Sequence, residues 1–574
     1  MRSFFSRLLR RPRPRHNLAT DIPAQEVLSF LSQVSLPQKS ADVVQAIEEV
    51  LGNSNDLITR EIKISGTSLS IAYINGLVDK KLVKVLLESL LLKRPLVEQA
   101  GLSLDANIDR WHQMGLPLGQ IKVVKNLSEV ITGLLNGNTC LVGDGWSQAL
   151  LADTEGWEKR AITEPQTSTV VRGPREGFVE NMRTNTALIR RRLRHPNLRV
   201  EELVVGDISN TSVSILYLEG IANSKIVAEV RERIKRIKID GVLEGHYVES
   251  MIEDNPYSPF PQVWTTERPD TVAADLLEGR VAILTDGTPF ALTVPLRFAA
   301  LLQSPEDYYQ RWSLSLYLRP FRYLGLGITA FLPALYVAIT TYHQEMLPTP
   351  LLISILMQRE RVPYPAVVEA LVMQITFEIL LEAGARLPRA LGQAIGIVGA
   401  LVIGDAAVRA GLVSPAMVIV ISATAIASFT FPSFDLTNTV RLIRIPMILL
   451  AAVLGLFGLF SGLIVMMIHL VNLRSFGIPY LQGMAPFSLS DQKDYLMRAP
   501  WWKMRTRPEL SSKKDIIRQA PDQGPKPPGD ERGRGPSSME NQAPKKKDNQ
   551  QVFKTKVKRT DRQANRKGQQ EGKK

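Results

Sequence analysis

Three glutamates interrupt an otherwise apolar run. Glu369, Glu378 and Glu382 fall within residues 366–383, among Leu, Ile, Val and Phe. Against lipid, one acidic residue at the bilayer centre costs roughly 2.5–3.5 kcal/mol, so three such residues need water, cations or arginines. Glu378 and Glu382 are four apart and Glu369 is nine earlier, which gives them one broad helix face. Repeated around a symmetry axis, that face would concentrate cations. The alternative is pairing with Arg386, Arg389 or Arg409 in a packed interface. Asp405 and Arg409, also four apart, can pair on one helix face or act as a gate. Arg172, Arg175 and Glu176 lie in RGPREGF. Its two glycines suit a loop that binds an anion through backbone N–H groups, or a structural turn between lobes.

Little else in the chain offers chemistry. The one cysteine, Cys140, allows neither an intramolecular disulfide nor a thiolate metal site. The six histidines are scattered, with none at a ligand spacing such as HExxH. No GxGxxG, Walker A or GxSxG motif is present. The sequence therefore predicts no enzyme, no cofactor and no metal. Asp144-Gly145 and Asp286-Gly287 are explained by turn chemistry.

The elements that would carry these residues begin with an internal repeat. SLSIAYINGLVDKKLVKV (68–85) matches SVSILYLEGIANSKIVAE (212–229), aligning Tyr73 with Tyr217, Gly76 with Gly220 and Lys81 with Lys225. LLNGNTCLVGDG (134–145) matches LLEGRVAILTDG (276–287) at nearly the same offset. Each copy reads as strand, helix, helix, strand. The expectation is a basic arm over 1–23, α/β lobes over 24–160 and 198–290, and a connecting segment over 161–197. That segment reads as a solvated helix from about Phe178 to Leu193, rich in arginine at its end.

Residues 291–500 read as an all-α transmembrane domain. Residues 323–342, 414–434 and 446–472 carry no charge and are long enough to span a bilayer core. Residues 390–413 are a weaker fourth candidate, and 366–383 a re-entrant or interfacial segment. The net charge of +14 is localised: residues 498–574 carry +13 and residues 1–16 carry +6, which leaves −5 for 17–497. A DNA-binding protein would place that charge on a folded module, so no nucleic-acid partner is expected. The tail over 501–574, rich in Pro, Gly, Lys and Gln, reads as disordered. An anionic lipid surface is its nearer partner. The N-terminus does not read as a signal peptide, and a cytoplasmic N-terminal region and tail require an even number of spans. Arg441 and Arg444, read as loop residues, argue against that topology.

Four longer strings resemble one family: 143–193 (GDGWSQALLADTEGWEKRAITEPQTSTVVRGPREGFVENMRTNTALIRRRL), 253–295 (EDNPYSPFPQVWTTERPDTVAADLLEGRVAILTDGTPFALTVP), FEILLEAGARLP (377–388) and FTFPSFDLTNTVRLIR (429–444). They resemble the A subunits of the GerA spore germination family. The resemblance implies a multi-pass protein of the spore inner membrane that works with a transporter-like B subunit and a lipoprotein C subunit. It implies nutrient sensing coupled to ion release, and a homo-oligomer that forms a cation channel. A secondary transporter, a non-conducting scaffold and the member of the family associated with the dipicolinate channel are the alternatives.

Overall fold

The computed structural model describes residues 27–64, 67–92, 120–156, 164–165, 170–386, 404–508, 516–521 and 523–525. Residues 520–574 form a separate unit. The basic arm and most of the tail lie outside the described residues.

The N-terminal region is built twice on one plan. The first sheet contains β1 (Leu57–Ile64), β2 (Thr67–Ile74), β3 (Ile121–Val124), β4 (Thr139–Gly143) and β5 (Ala149–Ala152) in the order β1-β2-β4-β5-β3. The second contains β6 (Leu198–Val205), β7 (Thr211–Leu218), β8 (Trp264–Thr266), β9 (Val281–Thr285) and β10 (Ala291–Val294) in the order β6-β7-β9-β10-β8. All pairs in both are antiparallel. The helices correspond as well. In lobe 1, α1 (Ser40–Leu51), α2 (Lys80–Leu92) and α3 (Leu127–Leu135) match α4 (Met182–Arg192), α5 (Ser224–Arg236) and α6 (Pro269–Leu277) in lobe 2.

Alternation along the strands explains the layering. On β4, Cys140 and Val142 face α1 and α3, joining Val43, Ile47, Val130 and Ile131. Leu141 faces the other way, toward Val83 and Leu86 of α2. In lobe 2, Ala282 and Leu284 meet Leu188 and Val272, while Ile283 meets Ile226 and Val230. Each lobe is thus a sheet with helices on both faces, as the period of two requires; in lobe 2 the short helix Gly245–Ile252 joins α5 on its face through Val248 and Ile252.

Both Asp-Gly turns serve this plan. Gly145 and Gly287 adopt φ values of 84° and 89°, which glycine reaches without steric cost. Asp144 accepts hydrogen bonds from Ser40 N and Oγ (2.8 Å each) at the start of α1. Asp286 accepts from Met182 N (3.0 Å) at the start of α4. The two turns cap equivalent helices.

This equivalence corrects the expected connector over 161–197. The helix begins at Met182, capped by Asn181, and its Asn185, Thr186, Leu188, Ile189 and Arg190 are buried. It is the first helix of lobe 2, not a solvated bridge. Lobe 2 also runs past the expected end at 290, because β10 follows.

A helical bundle continues from lobe 2. It contains α7 (Trp312–Tyr342), α8 (Thr349–Arg359), α9 (Ala366–Arg386), α10 (Pro415–Ser428) and α11 (Phe434–Asn472). Only α7 and α11 among the described helices are long and apolar enough to cross a membrane. The expected span over 414–434 is a 14-residue helix, about 21 Å long. The glutamate-bearing segment is one regular helix, and the candidate over 390–413 lies largely outside the described residues. Ala366 and Ala370, early in α9, pack with Ala334 and Val337, late in α7. Met417 joins them, whereas Gly325 faces the Ala427 carbonyl. α9 and α10 therefore run antiparallel to α7.

The expected single span over 446–472 straddles the turn of a hairpin. Gly455 has φ 61° and ψ −140° and breaks α11. Thr439 Oγ1 donates to Pro259 O (2.6 Å), and His469 Nε2 lies 2.9 Å from Ser258 Oγ. A continuous helix would separate residues thirty apart by about 45 Å, yet these two meet neighbouring residues. The chain folds back at Gly455, where Tyr342 and His343 crowd the turn, and Gly462 packs on Met447. Arms 434–454 and 456–472 thus run antiparallel, with both outer ends at lobe 2. Arg441 and Arg444 lie on the first arm, not in a loop.

After the hairpin the chain packs back onto lobe 2. Leu296 N donates to Ser475 Oγ (2.9 Å), whose hydroxyl donates to Gln262 O (2.7 Å). Phe476 and Ile478 enter the core of lobe 2. Tyr480 packs with Phe260 and Phe298. The tail expected to be disordered from 501 is packed over its first described part. Arg507 is buried and its Nε donates to Leu277 O (2.8 Å), while Arg518 lies 3.9 Å from Glu278.

Candidate functional site: the polar chain of the bundle and its junction with lobe 2

The helix α9 places its glutamates at three levels, each with a partner inside the same subunit. Glu369 is buried. Its Oε2 accepts from Ser414 N (2.9 Å) and Ser414 Oγ (2.8 Å), and Arg359 lies 3.4 Å from its Oε1. Neither Arg359, ten residues earlier on α8, nor Ser414, at the start of α10, was among the partners expected from the sequence. Glu378 pairs with Arg441, whose Nε donates at 2.8 Å, rather than with Arg386 or Arg389. Glu382 takes Arg386 one turn away (2.7 Å), with both side chains exposed. Asp405 and Arg409 pair at 2.9 Å and are likewise exposed.

Glu378 belongs to a continuous polar chain. Asn438 accepts from Arg441 Nη1 (3.1 Å), Arg441 donates to Glu378, and Gln374 Nε2 donates to Glu378 Oε1 (2.6 Å). Gln374 Oε1 accepts from Arg444 Nη1 (2.9 Å), and Arg444 Nε donates to Thr329 O (2.9 Å). Arg444 is 1% exposed. Gln374, Arg444 and Arg359 were missed because single residues in apolar helices carry no periodic signal. The three-residue spacing of Arg441 and Arg444, read as helical rather than as loop, would have found one of them, Arg444.

The RGPREGF loop is a strap. Glu176 accepts from Arg192 (2.8 Å) and lies 3.5 Å from Arg191, both at the end of α4. Arg175 meets Glu164 at 3.2 Å on the surface, and Arg172 is exposed. Pro174 O accepts from Arg268 (2.8 Å), and Val171 N donates to Glu306. The loop ties lobe 2 to the start of the bundle.

Two buried ionic clusters fix the larger parts together. Between the lobes, Arg190 donates twice to Asp56 (2.6 and 2.9 Å) and once to Ser54 Oγ (2.9 Å). At the bundle's base, Asp307 accepts from Arg319 (3.0 Å) and Arg322 (2.7 Å), and Arg319 reaches Asp494 (3.0 Å). Nearby, burial alone would raise the Glu278 carboxyl, but Arg297, Arg280, Arg518 and Arg507 hold it below its ordinary value. Burial pushes the Cys140 thiol up to about 12, far from thiolate chemistry. Among the described residues, no group of three or more His, Cys, Asp or Glu side chains could hold a metal.

These features define a two-lobed α/β region that holds an apolar helical bundle with a polar interior. Residues 45–510 match the family described as Bacillus/Clostridium GerA spore germination protein, and the chain belongs to that family. It is 47% identical to spore germination protein KA of Bacillus subtilis (strain 168) over 86% of this chain and 90% of that one. It is 41% identical to spore germination protein GerLA of Bacillus cereus, over 83% and 96% respectively. It is 34% identical to a crystal structure of the N-terminal domain of the A subunit of the Bacillus megaterium spore germinant receptor GerK3. That match covers 46% of this chain and 97% of that one, with a TM-score of 0.38.

Proposed function

We propose that this chain is the membrane-embedded A subunit of a nutrient germinant receptor in the spore inner membrane. It works beside a transporter-like B subunit and a lipoprotein C subunit, and couples nutrient detection to ion release. Its bundle crosses the membrane several times, with both lobes and the segment after the hairpin on the cytoplasmic side. The observation that carries the reading is the pair of exposed ion pairs, Glu382–Arg386 and Asp405–Arg409. Facing lipid, they would be too costly. They therefore line a face shared with further copies of the chain, and a ring of such faces forms the cation path. Glu369 and Glu378, satisfied within one subunit, support the bundle and do not line that path.

The test is conductance of the purified chain in planar bilayers, with native mass measurement of its oligomer. Cation-selective currents from an oligomer, reduced several-fold by Glu382→Gln, are expected. A monomer without conductance would overturn the channel reading and leave a scaffold, which internal satisfaction of Glu369 and Glu378 already favours at those positions.

A further inference from the structure

A cavity of about 160 Å³ lies where α6 of lobe 2, the segment before α7 and the segment after the hairpin meet. It is outside the polar chain of the bundle. Trp264, Asp270, Thr271, Tyr308, Tyr309 and Trp501 are among its lining residues. Asp270 is 7% exposed. Its Oδ2 accepts from Arg268 (2.9 Å) and from Tyr309 Oη (2.6 Å). Its Oδ1 has no hydrogen-bond partner, and neither does the neighbouring Thr271 Oγ1. Buried carboxylate oxygens are normally satisfied, so two adjacent acceptors are left without donors beside an open space.

The walls select the donor. Aromatic faces attract cations through their quadrupoles, and Trp501 already carries Arg498 at 4.7 Å and Arg518 at 5.7 Å. Among the described residues, no cation stacks on Trp264 or Tyr309. The remaining ionic side chains of the lining are Asp275, Glu278, Arg280 and Arg518. With Asp270 that makes three carboxylates against two guanidiniums in the lining, and Arg268 behind Asp270 brings the balance to zero, so the open acceptors, not a net charge, call for the donor. Such a volume admits a few heavy atoms only.

We propose that this cavity binds a small primary ammonium ligand. Its N–H groups donate to Asp270 Oδ1 and Thr271 Oγ1, and its alkyl part rests against Trp264 and Tyr309. Because three parts of the chain supply the walls, a bound ligand draws lobe 2, the segment before α7 and the returning segment together.

The experiment uses the full chain in detergent and follows tryptophan fluorescence during titration with isobutylammonium chloride. Saturable binding is expected, with sodium chloride and isobutanol giving none. Tetramethylammonium, which lacks N–H donors, should bind at least tenfold more weakly. Thr271→Val removes one acceptor without touching an ion pair and should weaken binding several-fold at unchanged melting temperature. Asp270→Asn should weaken it tenfold or more, and where that variant fails to fold, Thr271→Val alone decides. No saturable response to isobutylammonium, an equal response to isobutanol, or full affinity in Thr271→Val overturns the proposal.

Discussion

At the scale of single residues, burial decides what each charge does. Arg190 is 1% exposed and its charge is balanced by Asp56. Removing one partner leaves the other charge buried and uncompensated, at a cost of about 3–5 kcal/mol. Asp56→Ala should therefore lower the melting temperature of the detergent-solubilised chain sharply. The apolar pair Asp56→Leu with Arg190→Met should recover most of the loss, and an equal loss in both would refute the pairing. Glu249, on the helix Gly245–Ile252, has its carboxyl pushed up to about 7. Burial is the main cause, Asp435 and Glu253 add to it, and His246 opposes it. The folded state then holds the proton more tightly than the unfolded one, so stability falls as pH rises from about 4.5 to 7. Glu249→Gln should flatten that fall and raise stability at pH 8 by about 1–3 kcal/mol, as measured by denaturation across pH. None of this was legible in the sequence. Arg190 looked like one of four basic residues at a helix end, because burial follows from a neighbouring lobe and not from local spacing.

At the scale of elements, glycine geometry shapes the membrane part. Gly455 sits in a region of backbone space that side chains rarely adopt, and a Cβ there would lie 2.8 Å from His343 Cε1. Gly455→Ala should cost on the order of 1–3 kcal/mol from backbone strain alone. Gly327→Ala is the control, since a Cβ at Gly327 meets nothing within 4 Å. Equal melting temperatures for the two variants would mean that the turn is not required. The strands and the duplication were readable, because alternation and the Tyr73–Tyr217 match fall on β2 and β7. The hairpin was not. Hydropathy measures composition, and 446–472 is apolar on both sides of the turn. α4 was misread because it shares its position with α1 but little of its sequence.

For the whole molecule, the hairpin removes a conflict in the charge pattern. Arg441, Arg444 and the basic tail had been separated by one apparent span. With the chain reversing at Gly455, the outer ends of both arms return to lobe 2, so the first arm's arginines and the tail no longer call for opposite faces. Cysteines introduced at the exposed positions Tyr257, Leu489 and Met346 test this. An impermeant thiol reagent should reach 257 and 489 from one face of the membrane and 346 from the other. Labelling of 489 and 346 from the same face would refute the arrangement. Native Cys140 is buried and should stay silent.

The meeting of Leu296 with Ser475 has a practical corollary. In the language of gene architecture, residues 297–474 are an insertion whose two junctions touch. Excising them and bridging 296 to 475 with two or three glycines should yield a water-soluble miniature of the two-lobed half. Phe476 and Ile478 would still fill lobe 2, whereas truncation at 290 would discard them together with β10. The membrane part is therefore separable by splicing at one seam, and transplantable between relatives at that same seam.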